Sequence, residues 1–189
     1  MSDKKGSGIL IIVINLIGVL VAIAAGVFAV VRNPDNLYMI VTAVLTVLAL
    51  LAALIYFSKG AKKNAHAFFK IFMSCYALAE FASIISSSGL AVDQPAAVAV
   101  NAAIFALLIL LAVGTDLGKL KSALLCIAVI VLALISLVGA IIMYPGVLRG
   151  GTPLGTVFAL RAGANLCLAL LTGIMVAAKY ADKASRGTT

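Results

Sequence analysis

From Ile9 to Val31 the chain runs apolar with one strongly polar side chain, Asn15, and comparable blocks recur along the sequence. A hydrocarbon core about 30 Å thick is crossed by about 20 residues of helix. Lipid cannot hydrogen-bond a backbone, so such blocks form helices unless an alternating pattern marks barrel strands. No period-two alternation is present. Six spans follow: Ile9–Val31, Leu37–Phe57, Ala67–Ser88, Ala96–Val113, Ala123–Tyr144 and Gly155–Ala178. Composition agrees, with 65% hydrophobic and 11% charged residues against about 45–50% and about 25% in soluble domains. The expected fold is all-α: a polytopic membrane protein with tails at 1–8 and 179–189 and one six-transmembrane-helix bundle over 9–178. Lys4, Lys5 and Ala22-Ile23-Ala24 mimic a cleavable signal, but the apolar run continues to Val31 without a polar c-region, which reads as a retained helix.

Cationic side chains set the expected orientation. Lys4, Lys5, Lys59, Lys62, Lys63, Lys70, Lys119, Lys121, Lys179, Lys183 and Arg186 fall on one side of the spans, and only Arg32 and Arg149 on the other. By the positive-inside rule both termini are cytoplasmic, in a plasma (inner) membrane of prokaryotic type. The net charge of +8 then lies on one face, beside anionic lipid headgroups. Nucleic acid is not an expected partner, because no soluble groove-binding element accompanies the charge.

Asn33-Pro34-Asp35-Asn36, Asp93-Gln94-Pro95 and the stretch from Tyr144 to Pro153 read as outer turns. Setting Asn101 against Asn165 aligns NAAIFALLILLAVGTDLGK with NLCLALLTGIMVAAKYADK without a gap. Either the chain is three tandem helical hairpins, or low-complexity apolar runs align by accident. Six helices in so short a chain is an outline similar, in topology alone, to small bacterial acid-resistance proteins and to the substrate-binding subunits of energy-coupling-factor vitamin transporters. No functional residue carries over from either.

Glu80 is the anomaly. It lies within CYALAEFASII, and counting from Lys70 at about 1.5 Å per residue places it roughly 15 Å deep, near the bilayer midplane. A carboxylate there costs at least about 2.5 kcal/mol, so it is expected to face the bundle and find a partner. Arg161 is the remaining cation of the 14 Lys and Arg and lies inside the last span. Around the pair, Tyr76, Glu80, Ser83 and Ser87 recur on the third span, and Arg161, Asn165, Ala169, Gly173 and Ala177 on the sixth. With Asn101 they outline an intramembrane polar pocket. Gly18, Ala22 and Gly26 form a small-residue stripe suited to close helix packing, as do Thr42, Thr46, Ala49 and Ala53.

Enzyme motifs are missing. His66 is the only histidine and has no second ligand at metal spacing; Cys75, Cys126 and Cys167 all lie in spans. Ser83 and Ser87 have no intramembrane histidine or lysine as base, and Gly150-Gly151 is not followed by a phosphate-loop lysine. No cofactor or metal is expected. The sequence therefore points to a non-enzymatic protein that binds or translocates a small solute or a proton. In one mechanism Arg161 anchors an anionic group and Glu80 contacts the rest of the solute. In the other, Glu80 exchanges a proton as the helices move, with Arg161 tuning it. The alternative is a structural or accessory subunit docking onto a partner membrane protein, or a second copy, through Gly18, Ala22 and Gly26.

Overall fold

The computed structural model describes the backbone of residues 3–32, 34–35, 37–58, 64–88, 95–113 and 153–186, with isolated positions between 127 and 138. Its side chains are described mainly over 8–31, 37–58, 64–85, 102–111 and 159–178. Five helices appear among the described residues: α1 (Asp3–Arg32), α2 (Leu37–Phe57), α3 (Ala65–Ser88), α4 (Pro95–Val113) and α5 (Pro153–Arg186). Four apolar stretches, Gly8–Val31, Leu37–Phe57, Ala65–Ile85 and Ala159–Ala178, are long enough to cross a membrane; the described apolar stretch of α4 is shorter, Ala102–Leu111. The expected span Ala123–Tyr144 lies outside the described residues except for scattered helical positions such as Ile127, Val131 and Leu134.

Local chemistry sets the helix ends. α1 stops at Arg32, just before Asn33-Pro34, because a residue preceding proline is driven out of helical geometry. The Ser58 amide and hydroxyl both donate to the Ile55 carbonyl, at 2.9 and 2.7 Å, and close the last turn of α2. Asn64 precedes α3 and its carbonyl accepts the Phe68 amide at 3.1 Å, the first bond of the helix. Both α4 and α5 start on a proline, where the missing N–H would have lacked an intrahelical partner anyway. Helix also extends beyond the apolar blocks, through Lys4 and Lys5 in α1 and past Ala178 to Arg186 in α5. Lysine, alanine and arginine are good helix formers, so leaving the apolar zone does not end the helix.

α1 packs against α2 and α5, α2 against α3, and α3 against α4, whereas α2 and α5 touch only slightly. The first helix is inside out by the standards of a soluble protein: it buries Asn15, Gly18, Ala22, Ala25 and Ala29 and exposes Leu16, Leu20, Ile23, Val27 and Val31. Hydrocarbon tails are as apolar as leucine, so in lipid the exposed face costs nothing and contact is driven by small residues that let backbones approach. The buried positions step by three and four residues, the seam of left-handed helix packing. α3 is the most enclosed, with Phe72, Met73, Tyr76, Glu80 and Ser83 all essentially inaccessible. Phe81 stacks on Phe105 of α4 at 5.4 Å between ring centroids.

Close approach is concentrated at two glycines of α1. A Cβ on Gly18 would meet Leu50 and Cys167 at 3.0 and 3.1 Å, and one on Gly26 would meet the Cβ of Ala43 at 3.0 Å. At Gly163 the nearest atom would be Val21 Cγ1 at 3.4 Å, an ordinary contact. Gly163→Ala is therefore expected to leave the unfolding midpoint unchanged or raise it slightly, since alanine favours a helix interior by about 1 kcal/mol. Gly26→Ala should lower it, because Ala43 can give way only by moving α2. Chemical denaturation of the two variants in the same detergent checks the contrast.

Candidate functional site

The buried face of α3 carries Tyr76, Glu80 and Ser83, at 0%, 1% and 0% exposure. Spacings of four and three residues keep them on one side of the helix, turned toward the interior by its apolar neighbours. From α5, Arg161 projects toward them with 18% of its side chain exposed, and its Nη2 lies 3.7 Å from Glu80 Oε2. That separation is short enough for strong Coulomb attraction and too long for a direct hydrogen bond. Tyr76 Oη, Glu80 Oε2 and Arg161 Nη2 are accordingly all buried without a hydrogen-bond partner. Asn165, one turn along α5 from Arg161, is close enough to Glu80 to interact with its carboxyl group. Three unsatisfied polar atoms around one ion pair are unusual, because each costs about 1–3 kcal/mol when buried.

A small cavity of about 30 Å³ adjoins Arg161, lined otherwise by Ala22, Ala25 and Ala29 of α1, Met39, Thr42, Ala43 and Thr46 of α2, and Ala164 of α5. Its room corresponds to about two waters. Alanines make the space, and the threonines give it a polar wall. The Thr42 hydroxyl donates to the Tyr38 carbonyl at 2.8 Å and lies 3.5 Å from the Ala79 carbonyl of α3; Thr46 donates to Thr42 at 2.8 Å. Both hydroxyl protons are therefore committed to backbone carbonyls. Arg161 thus both lines the cavity and faces Glu80.

Sequence reasoning brought together Tyr76, Glu80, Arg161 and Asn165 around one point, with Ser83 on the same buried face. Asn101 in α4 and Ser87 in α3 are helical, but their side chains lie outside the described residues. The proposed α5 stripe departs from the structure at its far end, where Ala177 is exposed. Steps of four residues overshoot a 3.6-residue turn by about 40° each, so the stripe has rotated by about 160° at Ala177. Gly18 and Ala22 are buried inside the chain's own packing, and Gly26 is half-buried. What sequence reasoning missed is the opposite wall: Ala25, Ala29, Met39 and Ala164 were not singled out, and Thr42 and Thr46 read as packing residues. The heptad spacing of small residues on α1 was the available signal.

His66 is exposed, Cys75 and Cys167 are free thiols, and no group of three His, Cys, Asp or Glu capable of holding a metal occurs among the described residues. No protein-family model matches the chain, and neither curated proteins nor solved structures give a match.

Proposed function

We propose that this protein is a six-helix plasma-membrane protein with both termini cytoplasmic, and that it binds or passes a small solute or a proton through the polar site formed by Glu80 and Arg161. The observation that carries the reading is the 3.7 Å ion pair with unsatisfied buried atoms at its centre and a cavity that Arg161 helps to line. A pair serving stability alone gains most from complete hydrogen bonding, because desolvation offsets its Coulomb attraction. Here the hydrogen-bonding capacity is left open where a ligand or proton could use it. The orientation rests on the concentration of lysines on one side, and the sixth helix on the apolar block Ala123–Tyr144.

The accessory reading keeps one argument, the small-residue stripe, although Gly18 already lies against Leu50 and Cys167 of the same chain. Proton flux into proteoliposomes, read by an entrapped pH dye under an imposed gradient, tests the function. Wild-type protein is expected to carry flux above protein-free vesicles, and Glu80→Gln to lose at least about tenfold, because an amide cannot exchange the proton. A variant that inserts normally and conducts like wild type, together with no solute raising the melting temperature of the wild-type protein, would remove the reading.

A further inference from the structure

Resting on the polar site just proposed, a narrower statement follows from how Arg161 is shared. We infer that the cavity between α1, α2 and α5 binds a small monovalent anion against Arg161, and that Glu80 takes up one proton from the aqueous side as the anion binds. The donor inventory sets the sign of the ligand. Among the side chains lining the cavity, Ala22, Ala25, Ala29, Ala43 and Ala164 offer nothing polar, the Met39 thioether has no donor, and the Thr42 and Thr46 hydroxyl protons are held by carbonyls. Arg161 is left as the lining residue that carries a full positive charge; its buried Nη2 faces Glu80. A cation would face the guanidinium with no acidic group in the cavity wall; an anion meets it directly.

The proton follows from charge balance. Arg161 and Glu80 together are neutral, and adding an anion would leave a net negative charge in a region that solvates it poorly. Protonating Glu80 restores neutrality, releases Arg161 from the carboxylate, and turns Glu80 into a donor. The charged and titratable groups facing Glu80 among the described residues are Arg161 on α5 and Tyr76 on its own helix. The described buried residues of α1, α2 and α4 include no acidic or basic one. No other described group is placed to take the proton. Size is limited as well: room for about two waters admits an ion of one or a few atoms.

Chloride is the probe, with gluconate, too large for the cavity, as the control. Isothermal titration of the purified full-length protein in detergent, repeated in buffers of different ionisation enthalpy, reads affinity and proton uptake together. Chloride binding is expected with about one proton taken up, so that the dissociation constant rises about tenfold per pH unit where the linkage acts. Glu80→Gln should bind chloride with neither uptake nor pH dependence, and Arg161→Gln should weaken binding at least about tenfold. The wild-type titration stands without either variant, should one fold poorly. Chloride binding without proton uptake, or gluconate binding equally well, overturns the coupled site and leaves the polar-site function standing. No anion binding alongside a Glu80-dependent proton flux also overturns the inference alone; loss of both binding and flux overturns the two together.

Discussion

Arg161→Ala is expected to destabilise the protein severely, whereas replacing both Glu80 and Arg161 with methionine leaves it about as stable as wild type or more so. With the guanidinium gone, Glu80 is a carboxylate at 1% exposure with no other cation described near it. Removing one partner of a buried pair costs about 3–5 kcal/mol, because the remaining charge is uncompensated. Methionine at both positions removes both charges, approximates both shapes and fills the space with a flexible apolar chain. Pairs replaced in this way are often neutral or gain about 1–4 kcal/mol. Denaturant titration of the helical signal in detergent gives the three unfolding midpoints. Flux and chloride binding should be lost in the double variant even though it folds. If the double variant is as unstable as the single one, the pair is a structural latch and the unsatisfied atoms around it have no functional meaning.

The same physics explains which features were legible beforehand. Four of the six expected spans could be read because hydrocarbon excludes unpaired backbone groups, so that length and polarity mark a candidate span. The Glu80–Arg161 pair could be read because an ionisable group deep in a span has few solutions, and only one acid and one base lie well inside the expected spans. The faces of the helices were harder. Lipid and protein interior are both apolar, so Leu16 on the outside and Leu168 in the core carry the same sequence signature. Small residues mark interfaces but not which neighbour fills them, and so the spacing of Ala25 and Ala29 on α1 signalled a packed face without showing that it bounds a cavity. Where polar side chains recur by mixed steps of three and four, as at Tyr76, Glu80 and Ser83, the face was right; where the pattern stepped by four alone, on α5, it drifted off by Ala177.

Gly18→Val is the second large effect expected, and it reaches the site through packing alone. α5 contacts α2 only slightly and rests mainly on α1, so α1 is the spacer that sets Arg161 against Glu80. At Gly18 that spacer is held from two sides: an added Cβ would lie 3.0 Å from Leu50 Cδ2 on α2 and 3.1 Å from Cys167 Cβ on α5. The Leu50 side chain could rotate, but it is fully buried, and the Cys167 Cβ moves only with its helix. Retreat from one neighbour drives α1 into the other. Overpacking of this kind costs about 1–3 kcal/mol and occasionally more; with two branched methyls wedged between helices the loss should reach the upper end. Gly18→Ala should cost less, and Leu50→Ala should partly rescue it by opening the α2 side, which leaves Cys167 as the remaining clash. Because Ala22, Ala25 and Ala29 of the same helix wall the cavity beside Arg161, Gly18→Val is also expected to reduce chloride affinity under conditions where the variant is still folded. Gly8→Val, with nothing within 4 Å, supplies the comparison: a matching loss there would mean that valine in α1, and not the spacing between α2 and α5, is responsible.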